Sequence, residues 1–102
     1  MGKYVLIYQG GSTPETPEAQ QAVMEQWMGW FGTLGAAVVD GGAPFGESGR
    51  VGGGAAASAV TGYSVLEAAD LAAATGLAGG CPVIAAGGTV DVYEAIDVTP
   101  GM

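Results

Sequence analysis

The carboxylate of Asp40 is the first group in this sequence that could perform acid–base chemistry. It follows two valines and precedes Gly41 and Gly42, so the pattern places it at the end of a strand beside an irregular segment. A carboxylate in apolar surroundings can serve as a general base, because burial disfavours its charged form. In the alternative interpretation, its side chain accepts hydrogen bonds from the Gly41 or Gly42 amide in a turn. Asp40 is therefore the catalytic candidate, with both interpretations open.

Four further side chains are candidates for ligand binding. Arg50 could hold a carboxylate through its planar guanidinium, although a loop arginine in an acidic protein more often pairs with a surface carboxylate. Tyr8 and Tyr63 could donate hydrogen bonds to a substrate oxygen, although tyrosines on strands usually pack in the core. Glu94 is the charged residue on an otherwise apolar strand face, which indicates either a cleft or an exposed sheet end. All four positions follow from the printed sequence.

The sequence predicts neither a metal site nor a bound cofactor. It contains no histidine and one cysteine, so a zinc site would need several carboxylates, and no two acids have ligand spacing on one element. Cys81 precedes a proline and has no histidine to activate it as a nucleophile. The glycines at 52–54 follow no clear strand and open no helix, which differs from a phosphate-binding loop.

Length and charge indicate one domain and exclude several partners. The 102 residues fit a single domain, residues 1–102. Ten acidic and two basic residues give a net charge of −8, which argues against binding to nucleic acid or to anionic membranes. The apolar run at residues 4–8 is far shorter than a span of about 20 residues. A lone cysteine fits a reducing compartment, so the sequence predicts a cytoplasmic protein.

Two helices are predicted from their capping residues. Thr16 offers a capping hydroxyl, Pro17 fits the first helical position, and Gly35 is a typical C-terminal cap. Asp70 caps a second helix, which ends before the glycines at 79–80. The first helix has apolar residues at spacings of three and four on one face, which predicts a buried stripe. This stripe consists of Ala19, Val23, Trp27, Trp30 and Leu34.

Four apolar segments are predicted as strands, and a long segment between them as a flexible loop. The strands cover residues 4–8, 36–40, 62–68 and 89–96, and the Gly/Ala-rich loop covers residues 47–60. The order predicts an α+β protein of the ferredoxin-like βαββαβ type, a four-stranded antiparallel sheet with two helices on one face. The other face would still hold large apolar side chains, which predicts a homodimer with the sheets packed face to face.

Several short motifs resemble the YCII-related proteins, and the DGPF-type branch is the most similar. They are Gly-Gly-Ala-Pro-Phe-Gly at 41–46, Leu-Glu-Ala at 66–68, Gly-Cys-Pro-Val at 80–83 and Gly-Gly-Thr-Val-Asp-Val-Tyr-Glu at 87–94. The likeness covers nearly the whole chain and implies a dimeric α+β barrel. Some members are thought to use a histidine and an aspartate in a cleft. This chain has no histidine, and residues 24–27 offer none where it would fall, so the pair is not carried over.

Three functions remain open from the sequence. The first is binding of a small organic molecule, anionic or aromatic, in a cleft near Asp40, with cofactor-free lyase or isomerase chemistry. The second is a non-catalytic, homodimeric binding or regulatory module. The third is regulation of a partner protein through the Gly/Ala-rich segment at 52–57.

Overall fold

The computed structural model describes residues 2–10, 15–47, 49, 51–53 and 60–96. Within these ranges the chain is an α+β protein with a four-stranded antiparallel sheet, compatible with a ferredoxin-like fold. The strand order is β2-β3-β1-β4. The elements in chain order are β1 Gly2–Gln9, α1 Pro17–Leu34, β2 Val38–Pro44, β3 Val60–Ala68, α2 Leu71–Ala78, α3 Pro82–Ala85 and β4 Thr89–Ala95.

The two long helices begin and end as their capping residues predict. The Thr16 hydroxyl accepts a hydrogen bond of 3.1 Å from the amide of Ala19. At the other end of α1, Gly35 adopts a positive φ of 56° and its amide donates to the carbonyl of Phe31, a conformation that glycine adopts without strain. The carboxylate of Asp70 accepts a hydrogen bond of 2.8 Å from the amide of Ala73, which fixes the start of α2. No helix in the described ranges is long and apolar enough to span a membrane.

The two faces of the sheet have different surroundings because successive side chains on a strand point in opposite directions. Tyr4, Leu6 and Tyr8 of β1 are buried on the side of the helices. The other side, here called the open face, carries half-buried or exposed apolar residues from three neighbouring strands, paired across the sheet. These residues are Val5, Ile7, Tyr63, Val65 and Tyr93.

Two elements differ from the sequence prediction. The second strand was expected at 36–40, but residues 35–37 form a short 3-10 helix and β2 runs from Val38 to Pro44. Asp40 therefore lies inside a strand instead of at its end. The strand continues because Gly42 adopts a φ of 78°, which lets the backbone bulge and resume pairing. The second difference is α3, a single helical turn at a place expected to hold only a short apolar piece.

The predicted loop at 47–60 is described only in part. Residues 47, 49 and 51–53 form neither helix nor strand, and Val60 already belongs to β3. Arg50 and the remaining residues of this segment, including 54–57, lie outside the described residues. The predictions for the ligand contact of Arg50 and for the Gly/Ala-rich segment therefore stay predictions.

Trp30, on α1, contacts α2, which belongs to the second half of the chain. Its side chain is buried, and its indole Nε1 donates a hydrogen bond of 3.2 Å to the carbonyl of Leu77. Gly80 lies so close that a Cβ there would be 3.1 Å from the Trp30 ring. This hydrogen bond connects α1 to the C-terminal part of α2. The space between α1 and the β2–β3 half of the sheet remains open.

Candidate functional site

A cleft of about 910 Å³ lies between α1, the β2–β3 half of the sheet and the segment that contains α3. This volume falls in the range of small-molecule sites, about 300–1,000 Å³. None of the lining residues that the structure describes carries a charge. The lining residues from α1 are Ala19, Val23, Met24, Gln26, Trp27, Met28 and Phe31, and the sheet and α3 add Tyr8, Gly10, Gly41–Pro44, Thr61–Ser64, Pro82, Val83, Ala85 and Ala86.

The helical wall of the cleft is aromatic at its base and flexible at its mouth. The ring of Trp27 meets Tyr8 edge-on with centroids 5.1 Å apart and lies 5.9 Å from Phe31. Met24 and Met28 are 65% and 70% exposed, and their unbranched side chains can adapt to different ligand shapes. These positions, spaced by three and four residues along α1, lie on one side of the helix. The wall therefore offers a stacking surface with an adaptable rim.

Two buried hydroxyls in the lining of the cleft form a chain of hydrogen bonds. The phenol of Tyr8 donates a hydrogen bond of 2.6 Å to the hydroxyl of Ser64. Ser64 in turn donates a hydrogen bond of 2.8 Å to the carbonyl oxygen of Gly41. Burial raises the pKa of Tyr8 to about 12, although the bond to Ser64 partly opposes the rise. The phenol therefore keeps its proton at neutral pH.

The bulge in β2 presents the Gly41 carbonyl to Ser64. Asp40 pairs with Val65 and Ala43 pairs with Tyr63, so two glycines of β2 stand opposite the single residue Ser64. A Cβ on Gly42 would overlap the carbonyl oxygen of Tyr63, so this close approach requires glycine. The local backbone of β2 thus determines where the hydroxyl chain ends.

Asp40 does not line the cleft. It is exposed, and its pairing with Val65 places it on the open face, because paired residues in a sheet point to the same side. Its carboxylate accepts a hydrogen bond of 2.8 Å from the Gly42 amide, and the Tyr63 hydroxyl lies 3.5 Å from its second oxygen. These contacts support the structural interpretation, in which Asp40 holds the bulge. Its catalytic role stays a prediction.

The other candidates lie in different places. Tyr8 and Tyr63 both contact the cleft, and the Tyr63 ring also stacks on Phe45 with centroids 5.7 Å apart. Glu94 is exposed and pairs with Tyr4. Tyr4 precedes Tyr8 by four residues on β1, which corresponds to roughly 13 Å at about 3.3 Å per residue. Burial, followed by the carboxylates of Glu94 and Asp70, raises the pKa of Tyr4. The side chains of Tyr8 and Tyr63 therefore lie on opposite faces of the sheet, because Tyr63 pairs with Ile7, and Glu94 lies at the far end of β1.

Sequence reasoning missed several residues of the cleft. Ser64 is the one buried residue of the described chain without an aromatic ring that has a side-chain hydroxyl. It occupies an inward position between Gly62 and Leu66 on an alternating strand, which was the available signal. Trp27 was assigned to the core but is half-buried and lines the cleft. The signal there was the width of the apolar face, since Met24 and Met28 extend it beyond one buried stripe.

Cys81 and the possible metal ligands of the described part of the chain offer no reactive centre of the kinds considered above. Cys81 is buried, and this burial raises the pKa of its thiol to about 11, so the reactive thiolate is scarce at neutral pH. The described residues contain no group of three or more histidine, cysteine, aspartate or glutamate side chains that could hold a metal ion.

The fold and the cleft together define a class: an α+β protein with an uncharged, aromatic cleft on the helix side of an antiparallel sheet. The chain matches no family model, and no curated protein and no solved structure matches it. The resemblance to the YCII-related proteins therefore stays a prediction.

Proposed function

We propose that this chain is a YCII-related, homodimeric protein that binds a small aromatic molecule in the cleft without a cofactor. The observation that carries the proposal is the cleft itself, with its apolar walls and a single buried pair of hydroxyls. Small-molecule sites commonly combine a mainly apolar lining with a few polar groups that orient the ligand.

An aromatic ligand fits better than an anionic one. The walls offer Trp27 and Phe31 for stacking, and the described lining residues include no cation that would pair with a carboxylate. A net charge of −8 also disfavours the approach of anions. Because Tyr8 keeps its proton and Asp40 lies outside the cleft, these observations favour binding over acid–base catalysis.

The binding proposal is tested by calorimetric titration with small, uncharged aromatic compounds. We expect one compound bound per chain, and Met28→Lys should weaken binding because it replaces an apolar side chain at the mouth of the cleft by a charged one. Leu71→Lys is the matched control, since Leu71 is also an exposed apolar helix residue, 50% exposed, but lies outside the cleft. If no compound binds, or if both variants weaken binding equally, the proposal is wrong.

The open face supports the homodimer. Val5 pairs with Val65 on one side and with Tyr93 on the other, and Ile7 pairs with Tyr63, so apolar side chains are contiguous across three strands. Charged residues surround this surface: Lys3 pairs with Glu67 at one end, and the edge strands β4 and β2 carry Asp91 and Asp40 beside Ile7 and Val65. An apolar centre with a charged rim is typical of protein interfaces. A second copy with the same face would cover it in a self-complementary, twofold arrangement, as in a dimeric α+β barrel.

Sedimentation velocity tests the homodimer. Because each chain carries a net charge of −8, screening by salt should strengthen the association. Val65→Lys should shift the protein toward the monomer, whereas Leu71→Lys, on α2, should leave the association constant unchanged. A monomer at micromolar concentration for the unmodified chain would contradict the homodimer without affecting the binding proposal.

A further inference from the structure

We propose that the ligand of the cleft is an uncharged aromatic molecule that donates an N–H or O–H hydrogen bond to the phenol oxygen of Tyr8. This inference rests on the small-molecule binding proposed above and specifies the chemistry of the ligand. It follows from the direction of the hydrogen-bond chain that connects Tyr8 and Ser64 to Gly41.

The Gly41 carbonyl, at the end of this series of hydrogen bonds, determines their direction. A peptide carbonyl oxygen can only accept a hydrogen bond, so the contact of 2.8 Å between Ser64 and Gly41 uses the single hydrogen of the Ser64 hydroxyl. Ser64 must then accept at its contact of 2.6 Å with Tyr8, and the phenol donates. Both hydroxyl hydrogens are consumed within the protein. The Tyr8 oxygen is left with accepting capacity alone.

Of the two residues that contribute these hydroxyls, Tyr8 is the one that a ligand can reach. It lines the cleft and remains 5% exposed, whereas Ser64 is fully buried at 0%. Its ring lies edge-on to Trp27 with centroids 5.1 Å apart. A flat molecule packed beside Trp27 would therefore be next to the Tyr8 side chain. Since burial keeps that phenol protonated, the acceptor is a neutral oxygen.

A ligand that presents an acceptor at this point is disfavoured. Its lone pair would face the lone pair of Tyr8, unless the phenol hydrogen turned away from Ser64. That rotation would break a buried hydrogen bond and leave Ser64 without its donor, and an unsatisfied buried polar group is unfavourable. At this point of the cleft the buried Tyr8–Ser64 pair only accepts, so it discriminates between ligands of the same shape by their hydrogen-bonding atom.

Indole and benzofuran are suitable probes because they have nearly the same size and shape and differ at one atom. Indole carries an N–H donor, and benzofuran carries an oxygen in its place. We expect calorimetric titration of the intact protein to show indole bound about fivefold more tightly, the effect of one neutral hydrogen bond. Tyr8→Phe removes the accepting oxygen and should reduce this preference to less than about twofold, while the aromatic ring remains.

Ser64→Ala should reverse the preference of the site for a hydrogen-bond donor on the ligand. It removes the acceptor of the phenol hydrogen, so Tyr8 can donate to a ligand. Acetophenone, whose carbonyl only accepts, should then bind at least about threefold more tightly than it binds the unmodified protein. If this variant does not fold, as judged by circular dichroism, the comparison of indole with benzofuran on the unmodified protein and on Tyr8→Phe decides the matter.

The outcomes separate the two proposals. A preference for indole that Tyr8→Phe abolishes supports the donor requirement. Equal affinity for the two probes, or tighter binding of benzofuran, overturns the donor requirement and leaves aromatic binding in the cleft intact. Failure of both probes to bind, even at millimolar concentration, overturns the small-molecule function, and the donor requirement with it.

Discussion

Gly42 lies directly against Tyr63, so that any Cβ on Gly42 would overlap the Tyr63 carbonyl oxygen. Gly42 also has a φ of 78°, which side-chain-bearing residues adopt with strain. We expect Gly42→Ala to lower the free energy of unfolding by at least about 2 kcal/mol, measured by urea denaturation. Gly41→Ala is the control, because a Cβ at Gly41 meets nothing within 4 Å. Similar losses in both variants would show that the close approach is not what constrains the bulge.

The buried phenol of Tyr8 should make the protein less stable in alkali. Its pKa is raised to about 12 from 10.0, so above pH 10 the unfolded chain loses a proton that the folded chain retains. The contribution of Tyr8 to stability is therefore complete below pH 10 and is lost as the pH rises toward 12. Denaturation across this range should show a smaller decline for Tyr8→Phe than for the unmodified chain. An equal decline in both would contradict the burial of the phenol.

Cys81 adds a second alkaline effect that must be separated from that of Tyr8. Burial raises its pKa from 9.0 to about 11, so its contribution declines from pH 9 upward by the same reasoning. Repeating the measurement in a Cys81→Ser background removes the thiol, and the difference in decline between that variant with Tyr8 and with Tyr8→Phe then reports on Tyr8.

Trp27 should report ligand binding, whereas Trp30 should not. The chain has two tryptophans: Trp27 lines the cleft, and Trp30 is 7% exposed and outside it. With a ligand that does not itself fluoresce, the change in tryptophan emission should fall at least threefold in Trp27→Phe and persist in Trp30→Phe. A change that is lost in Trp30→Phe alone would place the ligand elsewhere.

The carboxylate of Asp40 is expected to stabilise the bulge through its acceptor atom, not through its charge. Asp40→Ala removes the acceptor of the Gly42 amide and should destabilise the protein by about 0.5–1.5 kcal/mol. Asp40→Asn keeps a carbonyl oxygen at the same place and should change the melting temperature little. Where a reaction of the protein is found, loss of turnover in Asp40→Asn with unchanged melting would instead establish catalysis by Asp40.

The helices and the alternation of side chains along β1 were predictable from the sequence because their signals are local, but which side of β1 the helices cover was not. Thr16, Gly35 and Asp70 each act on the nearest turn of a helix, and the alternation in β1 depends on the chain direction alone. The extent of β2 was not predictable, since glycines usually end a strand. Pairing continues there because β3 supplies partners from far along the chain. The cleft, likewise, exists only once α1 is placed over β3.

The strand order has a consequence for how this chain reaches its structure. β1 is made first during synthesis, yet both of its neighbours, β3 and β4, belong to the second half of the described chain. Contacts between distant parts of a chain form slowly, because a large loop must close first. The sheet therefore assembles late, around its earliest strand. Until β4 has been synthesised, β1 lacks one of its two partner strands.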